Sequence, residues 1–454
     1  MIKKFQYWIL ALLIIGGFLV RLYKINNPIA DWHSWRQSDT SAVTRNFVKY
    51  GIDVLHPRYD DMSDVSGRGL FNPKGFRFVE FPIFNLVHYF LYSLAKGIFF
   101  SNFFSLELLG RLTAVLSALT SAVLLFFIVR RHSSIEVGLF SAFFYLFLPY
   151  NIYFTRVVLP EPLMVTLFLA ALLAFDTRRR LLTFIFGSLA LLVKPMAIFF
   201  LLPIIFKDFW LFIFMLVPFG LWRVWEMRYP EGMPASWWLL NGNGIRFRPA
   251  WFRWLFGERL GDMILGQWGI FPFLLGLFQA NSYFLIWAAG ALLYLVVFAT
   301  GNVHHDYYQI PLIPIISVLI ALGVVHFGTT LAKKAIMVFC VLLMFGLAWY
   351  DIKGDYQINN WPIVEAGRAV DRLAPKDAVV IAPYGGDTAF LYQTNRAGFP
   401  FMYLPIKDFI DRFNATYYVS VNYDADTNAI IKKYTVVEKT PNYVIVKLEE
   451  PIRP

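Results

Sequence analysis

Five short stretches of this 454-residue chain put charged side chains where charge is costly, and their groups can activate a hydroxyl or offset a phosphate. The first is Asp31-Trp32-His33-Ser34-Trp35-Arg36-Gln37-Ser38-Asp39-Thr40, followed by Arg45. From Ser38 onward the spacing suits a helix with Ala42, Val43 and Phe47 on its apolar side. Asp39 is then an acid of the first turn, favoured there by the helix dipole. An N-terminal cap is the plain reading of such an Asp. Two Trp residues, His33, Arg36 and Arg45 nearby favour a chemical one, since sugars and phosphates need such partners.

Glu80 follows in Phe78-Val79-Glu80-Phe81-Pro82, a lone acid among aromatics. A carboxylate at a membrane surface is expensive unless it is paired or does work. Arg156-Val157-Val158-Leu159-Pro160-Glu161-Pro162 opens an apolar run, with proline in its ordinary first-turn place. As a structural feature the Glu161 carboxylate would only offset the dipole, worth roughly 0.3–1 kcal/mol. Lys194-Pro195 divides two short apolar runs. A charge at the bilayer centre costs on the order of 2.5–3.5 kcal/mol, so this ammonium needs a partner or the interface. Last, His304-His305-Asp306-Tyr307-Tyr308 precedes a run bearing Pro311 and Pro314. Two His and an Asp could ligate a divalent metal, but adjacent His side chains diverge, and phosphate or sugar contacts suit the element better.

These groups sit in an unusually apolar chain: 58% hydrophobic, 19% aromatic and 16% charged, with a mean hydropathy of +0.55. Soluble domains run near 45–50% apolar and about 25% charged. Disorder, collagen and a disulfide scaffold are excluded by the same figures, Cys340 being the one cysteine. The apolar runs are continuous and of helical length, which excludes a β-barrel and leaves a polytopic α-helical membrane protein. The net charge of +11 fits Lys and Arg gathered in cytoplasmic loops, not nucleic-acid binding, since no basic stripe lies on a soluble module.

Spans are expected at Trp8–Val20, Leu112–Val129, Val137–Tyr150, Pro160–Phe175, Leu182–Val193 and Met196–Phe206. Trp210–Trp225, Met263–Leu277, Tyr283–Thr300, Gln309–Val325 and Ala335–Tyr350 bring them to eleven. Parity hangs on Pro82–Phe100. Taken as a juxtamembrane helix, it leaves Lys3, Lys4, Arg130, Arg131, Arg178, Arg179, Arg180, Lys207, Lys333 and Lys334 all on the cytoplasmic side. The loop 24–110 and the segment 355–454 then lie on the extracytoplasmic face of the cytoplasmic membrane. A transmembrane domain is expected over 1–354, and a small α/β domain over 355–454. The latter has strands at Ala378–Ala382, Thr416–Val421, Tyr434–Val437 and Tyr443–Leu448, and helices at Asn360–Arg372 and Ile406–Phe413.

Five elements recur here in order: Trp35 to Thr40, Glu80-Phe81-Pro82, Arg156 to Pro162, Leu192 to Pro195, and the His-His-Asp-Tyr-Tyr element before a proline-bearing span. In them the chain resembles the GT-C membrane glycosyltransferases, in particular the bacterial relatives of protein O-mannosyltransferases and the lipid A aminoarabinose transferases. The resemblance implies a GT-C fold with juxtamembrane helices in the first external loop. It also implies transfer of a sugar from a polyprenyl-phosphate donor to a hydroxyl of a lipid, glycan or protein, by inverting displacement at the extracytoplasmic face. Three acids are implied as catalytic candidates and none is singled out. Asp39 matches the first-loop acid, Glu80 an acid of a Glu-Lys-Pro-Pro element in which Phe81 here replaces the lysine, and Glu161 a place where relatives often carry Asp. Arg36, Gln37, Arg45, Arg156, Lys194, His304, His305, Asp306, Tyr307 and Tyr308 are the expected substrate contacts. No cofactor is assigned, with a divalent metal left open, and membrane lipids are further partners. A transporter or flippase is the rival reading, but it calls for midplane charges and inverted repeats, and no repeat is visible.

Overall fold

The computed structural model of the chain describes residues 2–99 and 104–449. Phe100, which ends the expected juxtamembrane segment, and the end of segment 355–454 from residue 450 lie outside them. The chain forms two compact units: Met1–Ile25, Arg111–Val224 and Ser236–Gly354 make the first, and Asn26–Gly110, Trp225–Ala235 and Asp355–Pro454 the second. One border between the units falls between Gly354 and Asp355. The first loop, however, sorts with the C-terminal segment, because backbone pairing joins them: Met62 N donates to the Gly398 carbonyl at 2.8 Å, and Gly398 N to that of Asp60 at 2.9 Å.

The first unit is helical, as its continuous apolar runs require. Four stretches are long and apolar enough to cross a membrane by length and composition: Leu106–His132, Phe209–Glu226, Asp306–Phe327 and the one that begins at Leu331. Phe5–Arg21, Ile135–Phe147, Arg180–Val193, Pro195–Ile205, Ile270–Gln279 and Ser282–Val297 are shorter apolar helices. With Glu161–Asp176, every expected span meets a helix. Ile313–Phe327 buries each residue from Ile313 to Gly323, as a helix apolar all round must. It packs on Ile270–Gln279 through glycine. A Cβ on Gly276 would lie 1.7 Å from the Leu319 carbonyl oxygen, and one on Gly323 1.9 Å from that of Pro272. Small residues let two apolar helices approach this closely.

One expected span is corrected. Met263–Leu277 is divided, because Arg253–Ile264 is a π-helix and the next helix begins at Ile270. Between them Gly266 and Gln267 take φ of 46° and 56°, the left-handed turn that ends a helix. Hydropathy does not register such a break. The remaining helix has ten residues, about 15 Å, half of a ~30 Å hydrocarbon core.

In the second unit a five-stranded sheet is built from β1 (Val379–Ile381), β2 (Gly398–Phe399), β3 (Ala415–Ser420), β4 (Thr435–Lys439) and β5 (Val444–Lys447), in the order β2-β1-β3-β5-β4. β1 is parallel to β2 and β3, and β5 antiparallel to β3 and β4. Alternation along β3 sends Tyr417 and Val419 to one core with Ile363 and Phe390, and Tyr418 to the other with Phe409 and Ile430. Helices thus cover both faces. All four expected strands and both expected helices are present, while β2, Thr388–Gln393 and Ala425–Lys433 are additions. The expected juxtamembrane helix is Ile83–Phe99, and it belongs to this second unit.

Candidate active site

The first-loop helix is Ser34–Tyr50, four residues earlier than its expected start. His33 before it takes φ 55° and gives no side-chain cap. Asp39 is therefore neither a cap nor a first-turn acid but lies in the second turn, and its charge is held by partners instead of the dipole. Arg77 Nη2 donates to Asp39 Oδ2 at 2.5 Å, and Thr388 Oγ1 donates to Oδ1 at 2.6 Å. Arg36, one turn earlier, pairs with Glu80, so this acid is not alone either. Both acids are nearly buried, where charge-assisted bonds fix geometry best. The helix Ile83–Phe99 is tied on by Asn85, whose Nδ2 donates to the Thr40 carbonyl at 2.7 Å. Asp39, Glu80, Arg36 and Arg77 line a cavity of about 20 Å³, just above the 10–15 Å³ that one water needs. Two carboxylates and two guanidiniums around a space of this size can hold one hydroxyl and take its proton.

Two further acids lie near Asp39. Asp61 accepts from the Tyr59 hydroxyl at 3.2 Å and from Ser63 N at 2.8 Å. Asp387 caps the helix Thr388–Gln393, accepting from Ala389 N at 2.7 Å. Burial, reinforced by the Asp39 charge, pushes each carboxyl up to about 6. The folded chain thus holds these protons more tightly than the unfolded one. The stability they supply is complete below about pH 4 and is lost as the pH rises through about 6. Asp61→Asn is expected to flatten that decline and to raise stability at pH 7 by roughly 1–3 kcal/mol, read from thermal unfolding between pH 4 and 8. A wild-type profile in the variant would mean that Asp61 titrates as an ordinary carboxylate.

Three expected substrate contacts have partners within the protein. Gln37 is fully buried and donates to Asp31 Oδ1 at 2.7 Å and to the Trp32 carbonyl at 3.1 Å. Arg45 pairs with Asp60, donates to the Tyr392 carbonyl at 2.8 Å and lies 4.0 Å from the centroid of that ring. Arg156 is fully buried, donates to the Lys24 carbonyl at 3.0 Å and lies 5.0 Å from the Tyr153 ring centroid. Held in this way, they bind the chain to itself.

In the first unit Glu161 opens the helix Glu161–Asp176 after Pro160, and Lys194 closes Arg180–Val193. Singled out separately in the sequence, they form one buried ion pair, with side chains 2% and 7% exposed. Glu161 thus supplies Lys194 with a counter-charge from within the chain. Its ammonium also lies 5.4 Å and 6.0 Å from the ring centroids of Tyr308 and Tyr307, within cation–π range. Glu161 Oε2 is buried without a hydrogen-bond partner among the described residues, so the pair keeps an acceptor open. The two tyrosines reach Lys194 because the helix Ala299–His304 stops and a tight 3₁₀ turn, Asp306–Leu312, begins. That turn is pinned by the Tyr150 hydroxyl on the Asp306 carbonyl at 2.5 Å and the Tyr294 hydroxyl on that of Tyr308 at 3.0 Å. Asp306 is buried; the rings of His304 and His305 lie 6.0 Å and 5.8 Å from that of Trp238. Among the described residues no group of three or more His, Cys, Asp or Glu could hold a metal ion, so the His-His-Asp option has no ligand set.

Four neighbours of Asp39 escaped the sequence reading: Arg77, Thr388, Asp61 and Asp387. Arg77 alone carried a signal, as a cation three residues before Glu80 in an aromatic stretch.

A comparison of the sequence with protein-family models and with curated proteins finds no match. Solved structures do resemble it. ArnT from Cupriavidus metallidurans bound to undecaprenyl phosphate gives a TM-score of 0.68 at 13% identity, over 96% of this chain and 97% of that one. The oligosaccharyltransferase of Archaeoglobus fulgidus in the apo form gives 0.59 at 10% identity, over 92% and 70%. The AglB oligosaccharyltransferase of that organism, in complex with an inhibitory peptide and a dolichol-phosphate, gives 0.56 at 10%, over 92% and 70%. At these identities the likeness is one of fold: the chain is a membrane protein with the GT-C fold of ArnT and AglB.

Proposed function

We propose that the chain is a membrane glycosyltransferase that moves a sugar from a polyprenyl-phosphate donor to a hydroxyl of a lipid, glycan or protein acceptor. The observation that carries this reading is Asp39, a buried carboxylate clamped by Arg77 and Thr388 at a cavity the size of one hydroxyl. It orients the acceptor hydroxyl and takes its proton as the oxygen bonds to the anomeric carbon. The bond from that carbon to the lipid phosphate breaks, the phosphate oxygen keeps the electron pair, and the anomeric centre inverts once. General-base help of this kind is typically worth 10²–10⁴-fold, and cations that stabilise the departing phosphate can match it. Lys194 with Tyr307 and Tyr308 is the candidate contact for the lipid phosphate or its sugar. The fold supports the donor class, since the similar structures include ArnT bound to undecaprenyl phosphate and AglB with a dolichol-phosphate. The charge rule puts the second unit on the extracytoplasmic side of the cytoplasmic membrane.

The test is in vitro transfer from a panel of radiolabelled polyprenyl-phosphate sugars by the full chain in lipid nanodiscs or vesicles, with mass spectrometry of the product. One donor is expected to lose its label to an acceptor. Labelled lipid crossing vesicles with no covalent product would favour a flippase, and no transfer from any donor would remove the reading.

A further inference from the structure

The second unit also holds a cavity of about 400 Å³, within the usual 300–1,000 Å³ of small-molecule sites. Its walls come from the C-terminal turns of the helix Ser34–Tyr50, from the loop around Tyr59 and Gly75, and from the turns after Trp361–Leu373 and Thr388–Gln393. The lining is basic: Lys49, Arg58, Lys74, Lys376 and Arg396, against Asp60 and Asp377. Asp60 is spent on Arg45. Asp371 holds both Arg396, at 2.6 Å, and Lys376, at 2.8 Å. Lys49, Arg58 and Lys74 have no ion-pair partner among the described residues. Desolvation in the cavity, with Arg45 and Arg396 close by, lowers the Lys49 ammonium to about 8 against the opposing pull of Asp60 and Asp371.

The cavity is coupled in space to Asp39. Asn46, on its wall, follows Asp39 by two turns on the same helix face, about 10 Å along the axis. Tyr59, also on the wall, carries the Arg77 guanidinium 4.9 Å from its ring centroid, and Arg77 holds Asp39.

We infer that this cavity is an acceptor subsite, and that the acceptor is an acidic saccharide whose oxyanion-bearing ring occupies it while a hydroxyl reaches Asp39. Three exposed cations on one cavity wall, none ion-paired among the described residues, call for an anion. The volume calls for a sugar ring around it, beyond a bare phosphate. The role of Asp39 in this picture rests on the glycosyltransferase reading, whereas the binding does not.

The test is a titration of the full-length detergent-solubilised protein, with no donor present, using a fluorescent hyaluronan tetrasaccharide and neutral chitotetraose. The acidic saccharide is expected to bind about tenfold more tightly or better, the worth of one charge-assisted hydrogen bond, and to weaken with salt. Lys49→Gln/Lys74→Gln, and independently Arg58→Gln, should bring its affinity toward that of chitotetraose with thermal unfolding unchanged. Equal affinity for both saccharides, or unchanged affinity in both variants, would overturn the proposal. Displacement by inorganic phosphate at the saccharide's own concentration would overturn it too, leaving a bare anion site. A chain that binds the acidic saccharide but never transfers a sugar sinks the glycosyltransferase reading and leaves the subsite standing.

Discussion

Asp39→Asn is expected to lower sugar transfer by about 10²-fold or more, with donor binding unchanged. The substitution keeps the side-chain volume and keeps an oxygen for the Thr388 hydroxyl, but it removes the group that can accept a proton. It also leaves the Arg77 guanidinium without its counter-charge. Breaking a buried ion pair costs about 3–5 kcal/mol, so lost activity alone does not separate chemistry from packing. The separation comes from Asp39→Asn/Arg77→Leu, in which no orphan charge remains. If Asp39 is the base, unfolding returns toward the wild-type temperature in the double variant while kcat stays low. Recovery of kcat along with stability would reduce Asp39 to a structural partner of Arg77. Glu80→Gln is the companion measurement, because Glu80 lines the same small cavity. If that variant alone lost turnover, the site would stand and the base would be its neighbour.

Lys194→Met and Glu161→Gln, made singly, are expected to destabilise the chain by about 3–5 kcal/mol each, because either one strands a buried charge. Made together they should restore most of that loss, since no charge is left in the apolar surroundings. Denaturant unfolding in detergent measures the coupling, and strictly additive losses would contradict the observed pair. Donor affinity is the second readout. A double variant that folds well yet has lost its preference for a polyprenyl-phosphate sugar over a neutral polyprenol would assign the pair to the donor phosphate. A double variant that keeps that preference would make the pair purely structural.

The helical unit was legible because continuous apolar runs depend on composition, and composition is local. Met263–Leu277 misled, since the left-handed turn at Gly266 and Gln267 leaves hydropathy untouched. Strands of the second unit were legible wherever β-branched and aromatic residues ran together between turn residues, whereas β2 is two residues long and Thr388–Gln393 six, too short for a pattern to form. The start of Ser34–Tyr50 was missed because His33 gives no capping signature. The costly charges were recognised one by one. Lys194 and Glu161, 33 residues apart, carried no sign that each was the solution to the other's burial. Arg36 and Glu80, 44 apart, carried none either. Pairings at such separations are set by the tertiary fold, and spacing rules are silent on them.

The pairing of the first loop with β2, and of Asp39 with Thr388, has a temporal consequence. Asp39 and Thr388 are separated by 349 residues. At the usual ribosomal pace of 5–20 residues per second, roughly 20–70 s pass between synthesis of one partner and the other. For that interval the nascent loop has no Thr388 hydroxyl for its acid and no β2 edge for its backbone, while helix after helix is still to be inserted. Assembly of the second unit is therefore one of the last events in the biogenesis of the chain. A nascent chain stalled before residue 388 carries Asp39 without the hydroxyl that holds its Oδ1.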